Sequence, residues 1–146
     1  KVIKCRRGVR QCDPYSPLLY VMVAELLQIL VNKAWQKGEI NLPVDYPGAK
    51  RYPIFQYADD TLLFLSNNAA QAKNLKWLLS CFEQISGMCI NFHKCELVPI
   101  NVNIEEANIF AQILGCRISD FPIKYLGAPL HHRKLKRGSS SSQVCI

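Results

Sequence analysis

Apolar residues recur every three or four positions in three segments of the chain, at 18–34, 69–86 and 103–114. This spacing places them on one face of a helix, so the pattern predicts three amphipathic helices. Each segment is followed by a glycine, the residue that most often ends a helix: Gly38, Gly87 and Gly115.

The starts and buried faces of the second and third helices can also be predicted. Asn67 or Asn68 can cap the second helix, because an asparagine oxygen accepts a hydrogen bond from the free N–H groups of the first turn. Asn103 followed by Glu106 resembles a capping box at the start of the third helix. The buried stripe of the second helix is expected to contain Leu75, Leu78, Leu79, Phe82 and Ile85.

Shorter apolar runs between the helices predict β-strands. Residues 54–57 and 61–65 indicate the two strands of a hairpin, and the proline-rich segment 41–53 indicates a loop. Four further short strands are expected at 88–92, 95–100, 116–118 and 124–126. Because strands and helices mix without a regular strand-helix-strand rhythm, the sequence favours an α+β fold.

Two adjacent aspartates, Asp59 and Asp60, interrupt the apolar run from Phe55 to Leu65. Strands are depleted in aspartate and a buried charge is costly, so a tight hairpin with both carboxylates at its tip is the simplest arrangement. Such a pair attracts divalent cations, and Mg²⁺ commonly takes one or two carboxylates together with substrate phosphates. The alternative is a solvated turn with no ligand.

The net charge of +7 is concentrated near the two ends of the sequence. Five of the first ten residues are basic, and residues 133–137 contain four more basic residues. A basic rim around an acidic centre suits a polyanion held near a metal ion, whereas the alternative is solvated ends. No apolar run reaches the roughly 20 residues of a membrane span, because Glu25 and Lys33 interrupt the longest one.

The seven cysteines include no Cys-x-x-Cys pair, and no secretory signal sequence is visible, so a reducing, intracellular setting is expected. Cys89, His93 and Cys95 are close enough in sequence to bind a metal ion together, although their spacing matches no zinc pattern. The alternative is that these cysteines are buried and free.

A polar motif runs from Arg7 to Leu19, with the sequence Arg-Gly-Val-Arg-Gln-Cys-Asp-Pro-Tyr-Ser-Pro-Leu-Leu. It joins a loop to the start of the first helix, with Ser16 as the expected N-cap and Pro17 as the first helical residue. Arg10 can meet phosphate, and a helix N-terminus favours anions. Taken alone, the motif is compatible with an ordinary capped helix start.

Together and in this order, the motifs resemble the reverse transcriptase of non-LTR (LINE-type) retrotransposons. The first motif is followed about 40 residues later by Tyr57-Ala-Asp-Asp60. Gly87-Met-Cys-Ile-Asn-Phe-His-Lys-Cys-Glu96 then resembles the next motif of the polymerase palm. Phe121-Pro-Ile-Lys-Tyr-Leu-Gly-Ala-Pro-Leu130 resembles the segment that grips the primer end, and it is closest to plant elements. The resemblance runs from about Arg6 to Leu135.

This resemblance implies a partial polymerase palm of the α+β class, in which an antiparallel sheet with a catalytic β-hairpin is packed by two or three helices. Asp59 and Asp60 would bind Mg²⁺ in a two-metal site, and Lys94 would approach the nucleotide phosphates as a catalytic residue. The residues implied near the nucleotide and template are Arg10, Gln11, Cys12, Ser16, Tyr57 and Ala58. Those implied in the primer-grip hairpin are Tyr125, Leu126 and Gly127.

The same residues also allow ordinary structural roles. Lys94 can pair with Glu96 at the surface, where an ion pair contributes little to stability. Tyr125 and Leu126 can belong to the core. His131 and His132 can be simply exposed or can contact phosphate.

The sequence departs from the family pattern at Cys12, where the family has glycine. If φ is positive there, a side chain costs about 1 kcal/mol or more. The family's third catalytic aspartate lies in an earlier strand, upstream of Arg6, and the fingers and thumb also fall outside these residues. Two of three carboxylates do not hold two Mg²⁺ ions productively, so the chain alone is expected to be inactive. The missing strand would also leave an unpaired sheet edge.

Residues 1–137 are therefore expected to form the partial palm, and residues 138–146 a flexible, serine-rich tail. The implied function is part of an RNA-directed DNA polymerase. Its partners would be an RNA template, a DNA primer, deoxynucleotide triphosphates and the rest of the polymerase, with no membrane. The alternatives are a non-catalytic nucleic-acid-binding remnant and a functionless product of a decayed element. Nuclear residence is implied by the resemblance alone.

Overall fold

The computed structural model describes residues 12–41, 53–126, 128–130 and 142–145. Within these ranges the chain forms three helices and seven strands, which confirms the predicted α+β class. The helices are α1 (Ser16–Gln36), α2 (Ala69–Ser86) and α3 (Ile104–Leu114). The strands are β1 (Ile54–Tyr57), β2 (Asp60–Ser66), β3 (Glu96–Ile100), β4 (Arg117–Ile118), β5 (Ile123–Tyr125), β6 (Ala128–Leu130) and β7 (Ser142–Cys145).

Five strands form one sheet in the order β1-β2-β7-β3-β4. Its pairings are antiparallel, as predicted, except that β3 and β4 run parallel. The strands β5 and β6 form a separate antiparallel hairpin. The carboxylate-bearing hairpin β1–β2 thus lies at one edge of the main sheet.

Strand β7 fills the centre of the sheet and differs from the expected tail. Its four residues pair with β2 on one side and with β3 on the other. The serine-rich composition predicted a flexible segment here, and residues 138–141 lie outside the described residues. The physical reason for the strand is that β2 and β3 each present an edge of backbone N–H and C=O groups, and a strand between them satisfies both edges.

The main core lies between one face of the sheet and the three helices. Successive side chains of β2 point to opposite faces of the sheet, so that Leu63 and Leu65 face this core while Leu62 faces the other side. Helices α2 and α3 contribute the apolar stripes predicted from their spacing, apart from Ile85. The prediction fails for the first half of α1, where Leu18, Leu19 and Met22 are exposed. The fully or nearly buried helical residues of this core are Leu27, Val31, Ala34, Ala72, Leu75, Leu78, Leu79, Phe82, Phe110 and Leu114.

A smaller apolar cluster covers the opposite face of the sheet. Leu62 and Val98 from the sheet pack with Ile123 from the β5–β6 hairpin, and all three are buried. Phe64 and Tyr125 pack against them and are half-buried. This cluster fixes the β5–β6 hairpin to the strand that begins at Asp60.

The helix ends follow the sequence signals, with one exception. Asn68 accepts a hydrogen bond from the Ala70 N–H at 2.9 Å, and Asn103 accepts one from the Glu106 N–H at 2.8 Å. At α1 the N-cap is Tyr15, not the predicted Ser16, and no side chain caps that helix end. Because the Ser16 N–H bonds to the Asp13 carbonyl, Ser16 already belongs to the first turn.

Two further predictions are wrong. Residues 88–92 form no strand, because the Ile90 N–H bonds to the Glu83 carboxylate at 2.6 Å instead of to a neighbouring strand. Ile85 was placed in the buried stripe of α2, yet it is 64% exposed. It lies in the last turn of α2, where no described element covers the helix on that side. The predicted loop at 41–53 lies largely outside the described residues.

Helix α1 has an exposed apolar face along its first half. By length and composition alone, α1 could cross a membrane, although the core helix of a soluble protein or a signal sequence passes the same test. This is weak evidence, and the expectation of no membrane stays a prediction. The exposed large apolar residues in and before α1 are Tyr15, Leu18, Leu19, Val21, Met22 and Ile29.

Candidate active site

The tight turn between β1 and β2 presents the two adjacent carboxylates. Tyr57 and Asp60 are the last paired residues of the hairpin, with Ala58 and Asp59 forming the turn between them. Both aspartates are exposed, as the sequence predicted for a hairpin tip. The hairpin is tied to the core through Ile54, which is 3% exposed. The carboxylates therefore stand on a rigid element, which is where a binding site can be held in a fixed geometry.

The backbone of this turn is strained at Ala58, which has a φ of +49°. A left-handed conformation costs a residue with a Cβ about 1–2 kcal/mol, so it persists only where the surroundings enforce it. The two strands on either side of the turn help to hold Ala58 in this conformation, because they are themselves held together. Phe55 of β1 and Phe64 of β2 make an edge-to-face ring contact, with centroids 5.8 Å apart.

Tyr20 of α1 contacts the same turn, and sequence reasoning missed it. Its hydroxyl donates a hydrogen bond to the Ala58 carbonyl oxygen. Burial raises the pKa of the Tyr20 phenol, and the negative charges of Asp59 and Asp60 raise it further. No local signal could have found this contact, because 38 residues separate the two partners in sequence.

A cleft of about 420 Å³ lies between α1 and the hairpin. This volume falls in the range of small-molecule sites, and the lining mixes apolar surface with a few polar groups. Its polar side chains are Tyr20, Glu25 and Gln28 from α1 and Gln56 from β1. The cleft also reaches Ala58, so a ligand bound in it would lie against the carboxylate turn.

The loop before α1 contains the position at which the sequence departs from the family pattern. Cys12 is exposed and has a φ of +64°, the left-handed conformation that glycine adopts most readily. Directly after it, the Asp13 carboxylate accepts a hydrogen bond from the Tyr15 N–H at 2.9 Å. Cys12 is thus held in a conformation that its side chain disfavours, as the sequence predicted for a positive φ.

Replacing Cys12 with glycine is expected to stabilise the chain by about 0.5 kcal/mol. Removing the Cβ relieves about 1–2 kcal/mol of left-handed strain, and the greater freedom of glycine in the unfolded chain offsets about 0.5–1 kcal/mol of this gain. The midpoint of urea unfolding measures the change. Cys89→Gly is the matched control, because Cys89 is exposed and has no positive φ. It is expected to destabilise, and equal shifts in both variants would contradict the strain at Cys12.

Lys94 is exposed in the turn before β3, and no contact joins its ammonium group to Asp59 or Asp60 in the part of the chain that the structure describes. The alternative pairing with Glu96 is not formed. Glu96 instead makes an ion pair with Arg117 across the parallel β3–β4 pair. The role of Lys94 therefore stays a prediction.

The predicted primer-grip segment forms a hairpin. Tyr125 pairs with Ala128 across the antiparallel strands β5 and β6, and Leu126 occupies the turn with a φ of +50°. Leu126 is 49% exposed, whereas Tyr125 is half-buried against the cluster that contains Leu62. The hairpin geometry thus agrees with the prediction, and the role in holding the primer stays a prediction.

No three His, Cys, Asp or Glu side chains converge to hold a metal ion among the residues described. Cys89, His93 and Cys95 therefore do not form such a group. The Cys95 thiol instead donates a hydrogen bond to the Asn91 carbonyl oxygen at 3.4 Å. Asp59 and Asp60 offer two adjacent carboxylates, the hard oxygen donors that suit Mg²⁺ together with phosphate. They fit one such ion in part and do not by themselves complete a two-metal site.

Several predicted site residues lie outside the described ranges. They include Arg10 and Gln11 of the nucleotide-binding prediction and Gly127 of the primer-grip prediction. His131, His132 and the basic cluster at 133–137 are also outside. The structure brings together Tyr57, Ala58, Asp59 and Asp60 in one turn, and it places α1, which begins at Ser16, beside that turn.

The sequence profile of the family described as "Reverse transcriptase (RNA-dependent DNA polymerase)" matches residues 1–130. This span includes the loop before α1, the carboxylate turn and the β5–β6 hairpin. No solved structure gives a significant match.

A curated relative is the "Retrovirus-related Pol polyprotein from type-1 retrotransposable element R2" of Popillia japonica. It is 31% identical to this chain over 96 residues. The alignment covers 65% of this chain and 12% of the relative, so the match corresponds to a small part of that protein. The likeness to plant elements stays a prediction.

Proposed function

Because the chain belongs to the reverse transcriptase (RNA-dependent DNA polymerase) family, in its non-LTR retrotransposon branch, we propose that it is part of the palm of an RNA-directed DNA polymerase. The observation that carries this proposal is the Tyr57–Asp60 turn, which presents two exposed carboxylates beside a cleft. The reaction is attack of a primer 3′-hydroxyl on the α-phosphate of a deoxynucleotide triphosphate, directed by an RNA template.

Asp59 and Asp60 serve as the ligands for Mg²⁺ in this proposal. When bound, Mg²⁺ supplies positive charge that neutralises the nucleotide phosphates and favours loss of the proton from the attacking hydroxyl. The hairpin contributes by holding the two carboxylates in a fixed position, so that no side-chain rearrangement is needed when the substrates arrive. The cleft between α1 and β1 receives the substrates, and Gln28 and Gln56 offer uncharged polar contacts there.

The other predicted residues act around this turn. Arg10, Gln11, Cys12 and Ser16 precede or begin α1 and contribute to the nucleotide and template site. Lys94 approaches the phosphates of the nucleotide. Tyr125, Leu126 and Gly127 hold the end of the primer. The β5–β6 hairpin lies near enough to the carboxylate turn for this role, because its Ile123 packs on Leu62 of the strand that carries Asp60.

The 146 residues by themselves are not active in this proposal. They offer two of the three carboxylates that the family uses, and no third ligand joins Asp59 and Asp60 among the described residues. Activity therefore requires the rest of the polymerase as a partner, which supplies the third aspartate and the fingers and thumb.

The test is primer extension by a hybrid enzyme on an RNA template with Mg²⁺. In the hybrid, residues 1–130 replace the matching segment of a complete non-LTR reverse transcriptase. We expect the hybrid to extend the primer and Asp59→Asn to lower the rate at least about 100-fold, because a metal ligand at the reacting phosphate is lost. The isolated chain is expected to extend no primer.

The matched control is Asp120→Asn, since Asp120 is an exposed aspartate in the loop before β5. It is expected to leave the rate of the hybrid unchanged. A folded hybrid that extends no primer, or one whose rate is indifferent to Asp59→Asn, would contradict the proposed function. Extension by the isolated chain that disappears with Asp59→Ala would contradict only its inactivity.

A further inference from the structure

We infer that Tyr20 is a positioning residue for the carboxylate turn, through the hydrogen bond that its hydroxyl donates to the Ala58 carbonyl. Ala58 directly precedes Asp59, so this bond fixes the peptide from which the first carboxylate extends. The importance of Tyr20 for the reaction rests on the proposed function, whereas the anchoring of the turn can be tested on the chain alone.

The turn needs such an anchor because its own interactions do not favour its conformation. Ala58 is left-handed, which a residue with a Cβ disfavours, and pairing between the strands stops at Tyr57 and Asp60. Asp59 and Asp60 are also adjacent like charges, and their repulsion favours a more open turn. A hydrogen bond to the carbonyl of the strained residue acts against both tendencies.

The anchor is firm because α1 is fixed in the core at its other end. Three residues of α1 are buried, with exposed fractions between 1% and 6%: Leu27, Val31 and Ala34. Tyr20 lies on the side of α1 that lines the cleft, together with Pro17 and Ala24. The hydroxyl thus links the tip of an edge hairpin to a helix that packs against α2.

Phenylalanine at position 20 separates this role from simple packing. Tyr20→Phe keeps the aromatic ring that lines the cleft and removes only the hydroxyl donor. A residue that merely fills space would tolerate this change, whereas a residue that anchors the Ala58 carbonyl would not. Tyr15→Phe is the matched control, because Tyr15 is 70% exposed beside the same helix start.

The experiment is solution NMR of the full 146-residue chain with each substitution. We expect Tyr20→Phe to lower the backbone order parameter of Asp59 and to move the Ala58 carbon shifts away from left-handed values. The equilibrium population of the opened turn is expected to increase about five-fold, which corresponds to the loss of one hydrogen bond. Signals from the α2 core stay in place. Tyr15→Phe is expected to change none of these signals.

Unchanged Ala58 and Asp59 signals in a folded Tyr20→Phe chain would overturn the inference. If that variant does not fold, the native chain still decides the matter: the Tyr20 hydroxyl proton should exchange with water about five-fold more slowly than the Tyr15 hydroxyl proton. Equal exchange rates would also overturn the inference. These NMR results do not depend on primer extension by the hybrid enzyme, so a failure of the proposed function is distinguishable from a failure of the anchor.

Discussion

Replacing Val144 with proline is expected to destabilise the chain by on the order of 3 kcal/mol, because it interrupts the central strand of the sheet. Val144 lies opposite Phe64 of β2 and opposite Val98 of β3. Each backbone N–H of a central strand bonds to one neighbour or the other, and proline has no N–H to donate. The free energy of unfolding, measured by urea denaturation with circular dichroism, reports the loss.

The control for this prediction is Val144→Thr. Threonine keeps the β-branch and the backbone N–H, so the ladder on both sides of β7 remains possible. We expect it to cost less than the proline substitution, because only the side chain changes and no backbone hydrogen bond is lost. If the proline variant is as stable as the threonine variant, β7 does not hold the sheet together and residues 142–145 behave as the flexible tail that their composition predicts.

Leu97→Ala is expected to lower the free energy of unfolding by about 2–5 kcal/mol. Leu97 is fully buried in β3 and belongs to the core between the sheet and the helices. Alanine removes most of its apolar surface and leaves a cavity that the surrounding strands and helices can fill only in part. The same urea denaturation experiment measures the effect.

Leu18→Ala is the matched control for that substitution. Leu18 is 63% exposed on α1, so the same loss of side chain removes little buried surface there. Alanine also favours helix, and the expected change is within about 0.5 kcal/mol. A loss at Leu18 as large as that at Leu97 would mean that the exposed face of α1 is covered in solution, contrary to its exposure in this structure.

The helices and the carboxylate hairpin could be predicted because their signals are local. Asn68 and Asn103 are side chains that satisfy the backbone of their own helix within three residues. The alternation of Leu62, Leu63 and Leu65 reflects the period of a strand with two buried faces. Such features require no knowledge of distant parts of the chain.

The features that could not be predicted depend on partners far away in sequence. Tyr20 looks like any aromatic residue on an apolar helix until the hairpin places Ala58 beside it. Ile90 lies in a segment whose composition is typical of a strand, but its N–H donates a hydrogen bond to the Glu83 carboxylate. Residues 142–145 look like a linker, and only the free edges of β2 and β3 give them a strand to join.

The position of β7 also has a consequence for how the chain folds. Residues in β1 and β2 can pair as soon as their turn has formed, since they are neighbours in sequence. The centre of the sheet, in contrast, depends on contacts between Ser66 and Ser142, which are separated by both α2 and α3. Closing long loops costs entropy before the contacts repay it, so the sheet assembles late. Until then β2 and β3 expose edges on which a neighbouring chain can dock.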